Sequence, residues 1–207
     1  MKKQLKFLML STAFAVILSA QAFAAGMLDL RRTGQTRCYD TAGIEIVCTG
    51  SGQDAELRSG APIPTPRFLD NANGTVTDRL TGLIWLKNAN CAVVSPKTFD
   101  DALTSVATLA SGACGLSDGS KAGEWRVPNR TELLSLIDRS KSNPALLIGH
   151  PFDNVVNDMY RTSTSYAGGS GNMAWTVHLG GGFANGYYGN GYKNNLISVW
   201  PVRAGQF

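Results

Sequence analysis

Two histidines, His150 and His178, are the first residues to test for catalysis. His150 precedes Pro151 in a turn, and His178 sits in an apolar stretch beside Trp175 and Val177. Neither belongs to a nucleophile motif, so a hydrolase triad has no support in the chain. Asp100-Asp101 fall in the first turn of an expected helix, where the dipole explains them. Asp153 and Asp158 are a conceivable carboxylate pair, but loop acids of this kind are ordinarily just solvated. Gly180-Gly181-Gly182 lacks the Lys-Ser/Thr that follows in a phosphate loop. Counting a calcium loop from Asp70 puts Ala72 and Gly74 where Asp or Asn belongs. The expectation is a protein that is not an enzyme, with no catalytic residues, no cofactor and no metal.

What the residues do offer is a recognition surface. Tyr166, Asn172, Trp175, Asn185, Tyr187, Tyr188, Asn190, Tyr192 and Asn194 lie among glycines and serines in the last third of the chain. Tyrosine gives a large amphipathic contact at low rotamer cost, and Asn, Ser and Gly give adaptable hydrogen bonding, the mixture used by antibody paratopes. Aromatic faces flanked by amides also suit sugar rings. The plainer reading is that the Gly-Asn steps are turns and the tyrosines pack as strand residues.

The elements that must position these residues follow from pattern. Leu83 to Leu86, containing Trp85, is a continuous apolar run expected to be a buried central strand. Asn73-Gly74 predicts a tight hairpin turn between Phe68-Leu69 and Thr75 to Thr77. Thr98 caps an expected helix with Phe99, Ala102, Leu103, Val106 and Leu109 on one face. Trp125, Arg126 and Val127 end an extended segment that Pro128 separates from a second helix. Asn129 and Glu132 have capping-box spacing there, with Leu133, Leu136 and Ile137 on one face. Arg126 and Glu132 are expected to be held inside this junction. After Tyr160 short strands alternate with turns, and the segment with Trp200 and Arg203 is expected to close against an early strand. Strands, two helices and strands again predict an α+β domain.

Residues 1–24 read as a secretory signal, with Lys2, Lys3 and Lys6 before an apolar run and Ala22-Phe23-Ala24 as the cleavage site. Cleavage after Ala24 is expected, giving a secreted or periplasmic protein with no membrane span. The formal charge of +4 includes those three lysines and no acid from the leader, which leaves about +1 for the remainder. That is too little basic excess for a nucleic-acid partner. Residues 25–66 are a lead-in with a polar Gly/Ser stretch and Pro62, Pro64 and Pro66; the domain proper is placed at residues 67–207. The four cysteines, Cys38, Cys48, Cys91 and Cys114, are expected to form two disulfides. Three connectivities are open, of which sequential pairing is the simplest; Cys38 and Cys48 would then clamp a hairpin.

Several runs together resemble the Lcl C-terminal domain family, also known as DUF1566 and named for a Legionella collagen-like adhesin. They are RFLDNANGTVTDRLTGLIWLKNANC (67–91), GEWRVPNRTELLSLID (123–138), NPALLIGHPF (143–152), YRTSTSYA (160–167) and VWPVRAGQ (199–206). The resemblance implies a C-type-lectin-like fold and agrees with sequential disulfides, but attaches no general activity. Formylglycine-generating enzymes share that fold and work with late cysteines, and here no cysteine follows Cys114. The Glu-Pro-Asn, Gln-Pro-Asp and Trp-Asn-Asp strings of calcium-dependent lectins are also missing. The family often has Tyr-Trp where this chain has Tyr160-Arg161, so Arg161 is a candidate anion contact on the surface. The leading expectation is an exported recognition domain for a cell-surface glycan or protein. Alternatives are a structural or envelope-associated protein making only protein contacts, with homo-oligomerisation open, or a variable ligand-binding protein of a diversity-generating retroelement.

Overall fold

A computed structural model describes residues 30–168, 170–185 and 191–205. The lead-in begins with the hairpin β1 (Cys38–Tyr39) and β2 (Glu45–Ile46), closed by a Cys38–Cys48 disulfide. One helical turn, α1 (Asp54–Leu57), follows where only a polar Gly/Ser stretch was expected. It is held from outside: the Glu56 carboxylate takes the backbone N–H groups of Gly50 and Gly52, and the Tyr39 N–H donates to Gln53 Oε1. Such loop-to-side-chain bonds are invisible to periodicity.

The first sheet has the order β3 (Phe68–Asp70), β4 (Thr75–Asp78), β5 (Leu83–Leu86), β9 (Val202–Ala204), all antiparallel. The β3–β4 hairpin lies where it was expected, but Asn71 bonds to Thr75, so its loop is Ala72-Asn73-Gly74 and not a two-residue Asn-Gly turn. Gly74 has φ +83°, and a Cβ there would collide with the Gly115 carbonyl. β5 is central, and β9 closes on it as expected. Between β5 and β9 the chain forms α2 (Phe99–Ala107), α3 (Arg130–Ser135) and a second antiparallel sheet, β6 (Met159–Ser165), β7 (Ala174–His178) and β8 (Phe183–Asn185). Thr98 caps α2, which buries Phe99, Ala102 and Val106, whereas Leu103 lies at the border of that stripe and is exposed. The remaining disulfide joins Cys91 to Cys114, so the pairing is sequential. The architecture is α+β.

Trp200 ties the sheets together. Its ring lies 5.7 Å from Trp85, 4.7 Å from Phe152 and 5.4 Å from Tyr160, and its Nε1–H donates to the Leu86 carbonyl. Tyr160 belongs to β6 and Trp85 to β5, so this cluster is where the two sheets meet. Burial pushes the Tyr160 phenol up to about 12, although its oxygen accepts the Val156 N–H. Trp125 is equally buried, with its Nε1–H on Ser120 Oγ and the Arg203 guanidinium 5.4 Å from its ring. Arg203 in turn donates to Asp118.

The junction around Pro128 is built as expected. Asn129 Oδ1 accepts the Glu132 N–H, and Glu132 Oε2 accepts the Asn129 N–H, completing a capping box. Arg126 reaches both oxygens of Glu132 at 2.6 Å. Burial disfavours the ionised Glu132, but the bonds from Arg126 and Asn129 outweigh it and hold the carboxyl below its usual range. A folded-state pKa below the unfolded one gives stability that is complete above about pH 4.5 and fades as pH falls through the folded value. Glu132→Gln should therefore start less stable at neutral pH and lose less on acidification below that point. Urea midpoints recorded from pH 7 to pH 3 test this; parallel pH profiles for the two proteins would count against it.

Candidate functional site

β7 is the axis of the candidate site. β6 and β8 flank it along most of its length, and at its beginning the 191–193 segment takes the place of β8. Ala174 donates its N–H to the Gly191 carbonyl, Met173 pairs with Tyr192, and Tyr166 donates its N–H to the Met173 carbonyl. Residues opposite each other in antiparallel strands point to the same face, as do residues two apart along a strand. Tyr166, Met173 and Tyr192 therefore share a face with Trp175.

On that face Trp175 is half-buried and held from two directions. The Arg130 guanidinium, from the first residue of α3, lies 3.8 Å from the centre of the indole. Tyr166 meets the indole edge-on at 5.4 Å and 77°. Arg130 is fixed at its backbone too, where its N–H donates to Thr164 Oγ1 on β6. Among the described residues its Nε, shielded from solvent, has no hydrogen-bond partner and the guanidinium has no ion pair, so the indole contact is what positions it. Helix geometry thus places a cation on an aromatic ring that strand geometry delivers.

Nearby, Asn172, Tyr192, Lys193, Asn194 and Asn195 line an open cleft of about 570 Å³. Asn172 and Asn194 are exposed, and Tyr192 keeps 41% of its surface. Lys193 is anchored by its backbone, with its carbonyl accepting the Phe99 N–H, while its ammonium lies 4.7 Å over the Phe99 ring. The cleft is therefore lined by amides, one phenol and one cation.

Several expected site residues fall elsewhere. Arg161 is not on the surface: it is fully buried, and its Nη2 donates to the backbone carbonyls of Tyr192 and Asn195. Strand alternation points Tyr160 and Arg161 to opposite faces, and both faces are covered here, one by the Trp200 core and the other by Phe99 and the 192–198 segment. Burial pulls its pKa down to about 10, with Asp100 opposing, so it stays charged at neutral pH. Its part is to hold the 192–195 turn in place, and the anion contact expected of it is unavailable. Asn185 ends β8, its backbone paired with Thr176. Tyr187, Tyr188 and Asn190 lie outside the described residues. Trp85, Trp125, Pro128 and Trp200 are buried, and Arg126, Glu132 and Arg203 make the ion pairs already given.

Arg130 is the site residue that sequence reasoning passes over. Its only signal is its position directly after the Asn129 cap, at a junction that packs on the second sheet.

Among the described residues no group of three or more His, Cys, Asp or Glu is placed to hold a metal ion. The family model of the Lcl C-terminal domain matches residues 74–203, which includes the whole of this face. No curated protein and no solved structure matches the chain.

Proposed function

The chain belongs to the Lcl C-terminal domain family, and from that premise we propose an exported, adhesin-like, non-enzymatic recognition domain that binds a cell-surface glycan at the Trp175 face. The observation that carries this reading is the Arg130–Trp175 stack at 3.8 Å, edged by Tyr166. With Nε shielded, the Nη groups of this guanidinium are the ones that suit a carboxylate or sulfate on a sugar. The ring edges and the neighbouring amides of Asn172 and Asn194 suit hydroxyl groups, and Lys193 supplies a second cation. The ligand class is accordingly an acidic glycan. A net charge near +1 with two locally placed cations favours local recognition over the broad electrostatic binding of nucleic acid.

Fold and compartment support the same reading. Closure of β9 on β5, with a separate late sheet carrying the candidate face, is the arrangement we read as C-type-lectin-like. Two disulfides suit the oxidising space outside the cytoplasm, and residues 1–24 have the composition of a secretory leader. Among the described residues no helix is long and apolar enough to cross a membrane.

Binding to immobilised acidic glycans should fall about tenfold or more in Trp175→Ala and in Arg130→Gln, provided both variants keep the parent melting temperature. Tyr192→Ala should cost less, because only part of its ring is engaged in the cleft. Wild-type binding by both of the first two variants would remove the site. No signal on any glycan would favour a second reading, an envelope-associated protein with protein contacts only. That reading has an observation of its own: Ile44, Val47 and Leu57 are exposed apolar residues of the lead-in.

A further inference from the structure

A cavity of about 590 Å³ separates the lead-in from the segment that follows α3, and none of its lining residues belongs to the Trp175 face. It has the size of a small-molecule site. Its walls are apolar at Pro62, Ile63, Pro64, Leu147 and Ile148. The two sides are joined by the Arg139 N–H donating to the Thr33 carbonyl. Gly34, with φ +86°, brings its backbone so close to Asp138 that a Cβ would lie 2.6 Å from Oδ1. The lead-in is thus fitted against this carboxylate.

The polar groups at the cavity are unevenly satisfied. Asp138 is 5% exposed; its Oδ1 takes the N–H and hydroxyl of Ser140, whereas Oδ2 takes no hydrogen bond among the described residues. Gln35 donates through Nε2 to the Arg37 carbonyl, which fixes the orientation of its amide, and its Oε1 is shielded from solvent with no partner among the described residues. Buried acceptors left in this state cost free energy unless a donor reaches them. Asp138 lines the cavity with Oδ2 unused, so this carboxylate asks for a cationic donor. Arg32, Arg58 and Lys141 also line it. The two arginines spend Nε on the Gly60 and Ala55 carbonyls and make no Nη hydrogen bond among the described residues. These cations, facing solvent at the cavity mouth beside the Asp54 carboxylate, can take an anion.

We infer that this cavity binds a small zwitterion with an apolar side chain, a free amino acid or a short peptide. The ammonium group donates to Asp138 Oδ2, the carboxylate meets the arginines and Lys141, and the side chain lies on the proline and leucine–isoleucine walls. Much of this site comes from residues before 74, outside the family match, so it is a feature of this chain's own lead-in.

Calorimetric titration of the exported chain with L-leucine and with L-alanyl-L-leucine tests the assignment. At least one should bind at a single site. 3-Methylbutylamine and 4-methylpentanoate, each carrying one of the two charges, should bind about tenfold or more weakly. Asp138→Asn should lose about tenfold or more in affinity, and Arg58→Ala, at an exposed position that does not threaten folding, should also weaken binding. No binding of either zwitterion at about 10 mM overturns the inference. So does a single-charge analogue that binds as tightly as the zwitterion, or wild-type affinity in both folded variants.

Discussion

Trp200→Ala is expected to lower the unfolding free energy by about 3–5 kcal/mol, a large part of what a domain of this size has. The cost has three sources. The indole is fully buried, so its removal leaves a cavity bounded by Trp85, Phe152 and Tyr160. Three aromatic contacts go with it, and the Leu86 carbonyl loses its bond from Nε1. Because Trp85 and Tyr160 stand on different sheets, loss of this ring should also loosen the second sheet against the first. Glycan binding should then fall along with stability, unlike in Trp175→Ala, where the melting temperature is kept. A urea midpoint within error of wild type would show that Trp200 does not join the sheets.

Asp78→Ala should cost a similar amount, about 3–5 kcal/mol, for an electrostatic reason. Arg67 Nε and Nη2 donate to Asp78 Oδ1 and Oδ2 at 3.0 and 2.8 Å, and both side chains are almost wholly removed from water. Asp78 also takes the Leu80 N–H and the Thr81 hydroxyl, and Arg67 donates to the Ser135 carbonyl at the end of α3. Removing the carboxylate leaves a buried guanidinium without its counter-ion and two donors without an acceptor. Arg67→Met should be costly too, but the double replacement should cost less than the two single changes added, since it strands no charge. Additive losses in equilibrium unfolding would contradict the coupling. The comparison with Arg126–Glu132 is informative, because there the arginine side chain is 46% exposed and solvent screens the pair.

Local chemistry was readable where one short stretch decides the outcome. The Asn129–Glu132 capping box, the Thr98 cap and the apolar Leu83–Leu86 strand each follow from neighbouring residues, and each is present. The hairpin at Asn73-Gly74 is present too, with Ala72 added to its loop. The Arg67–Asp78 pair was not readable as a pair, since nothing in the order of residues shows that both are shut off from water. Arg161 was misplaced for a related reason. In a strand with one wet face an arginine beside a buried tyrosine belongs outside, but the 192–198 segment covers that face. Arg130 was missed because the residue after a cap is ordinarily solvated, and only the packing of α3 on β6 and β7 brings Trp175 beneath it. Tyr166, Trp175 and Tyr192, expected in the recognition surface, lie on one face. Their common face depends on strand register, which the pattern of residue types does not set.

Arg126 has one more consequence. Its N–H and carbonyl both bond to Val202, so the outer rim of β9 meets the protein's own backbone at that point and not open water. A free strand rim is a template on which neighbouring molecules can stack into fibres. By occupying that rim, the segment before Pro128 blocks one route to uncontrolled polymerisation.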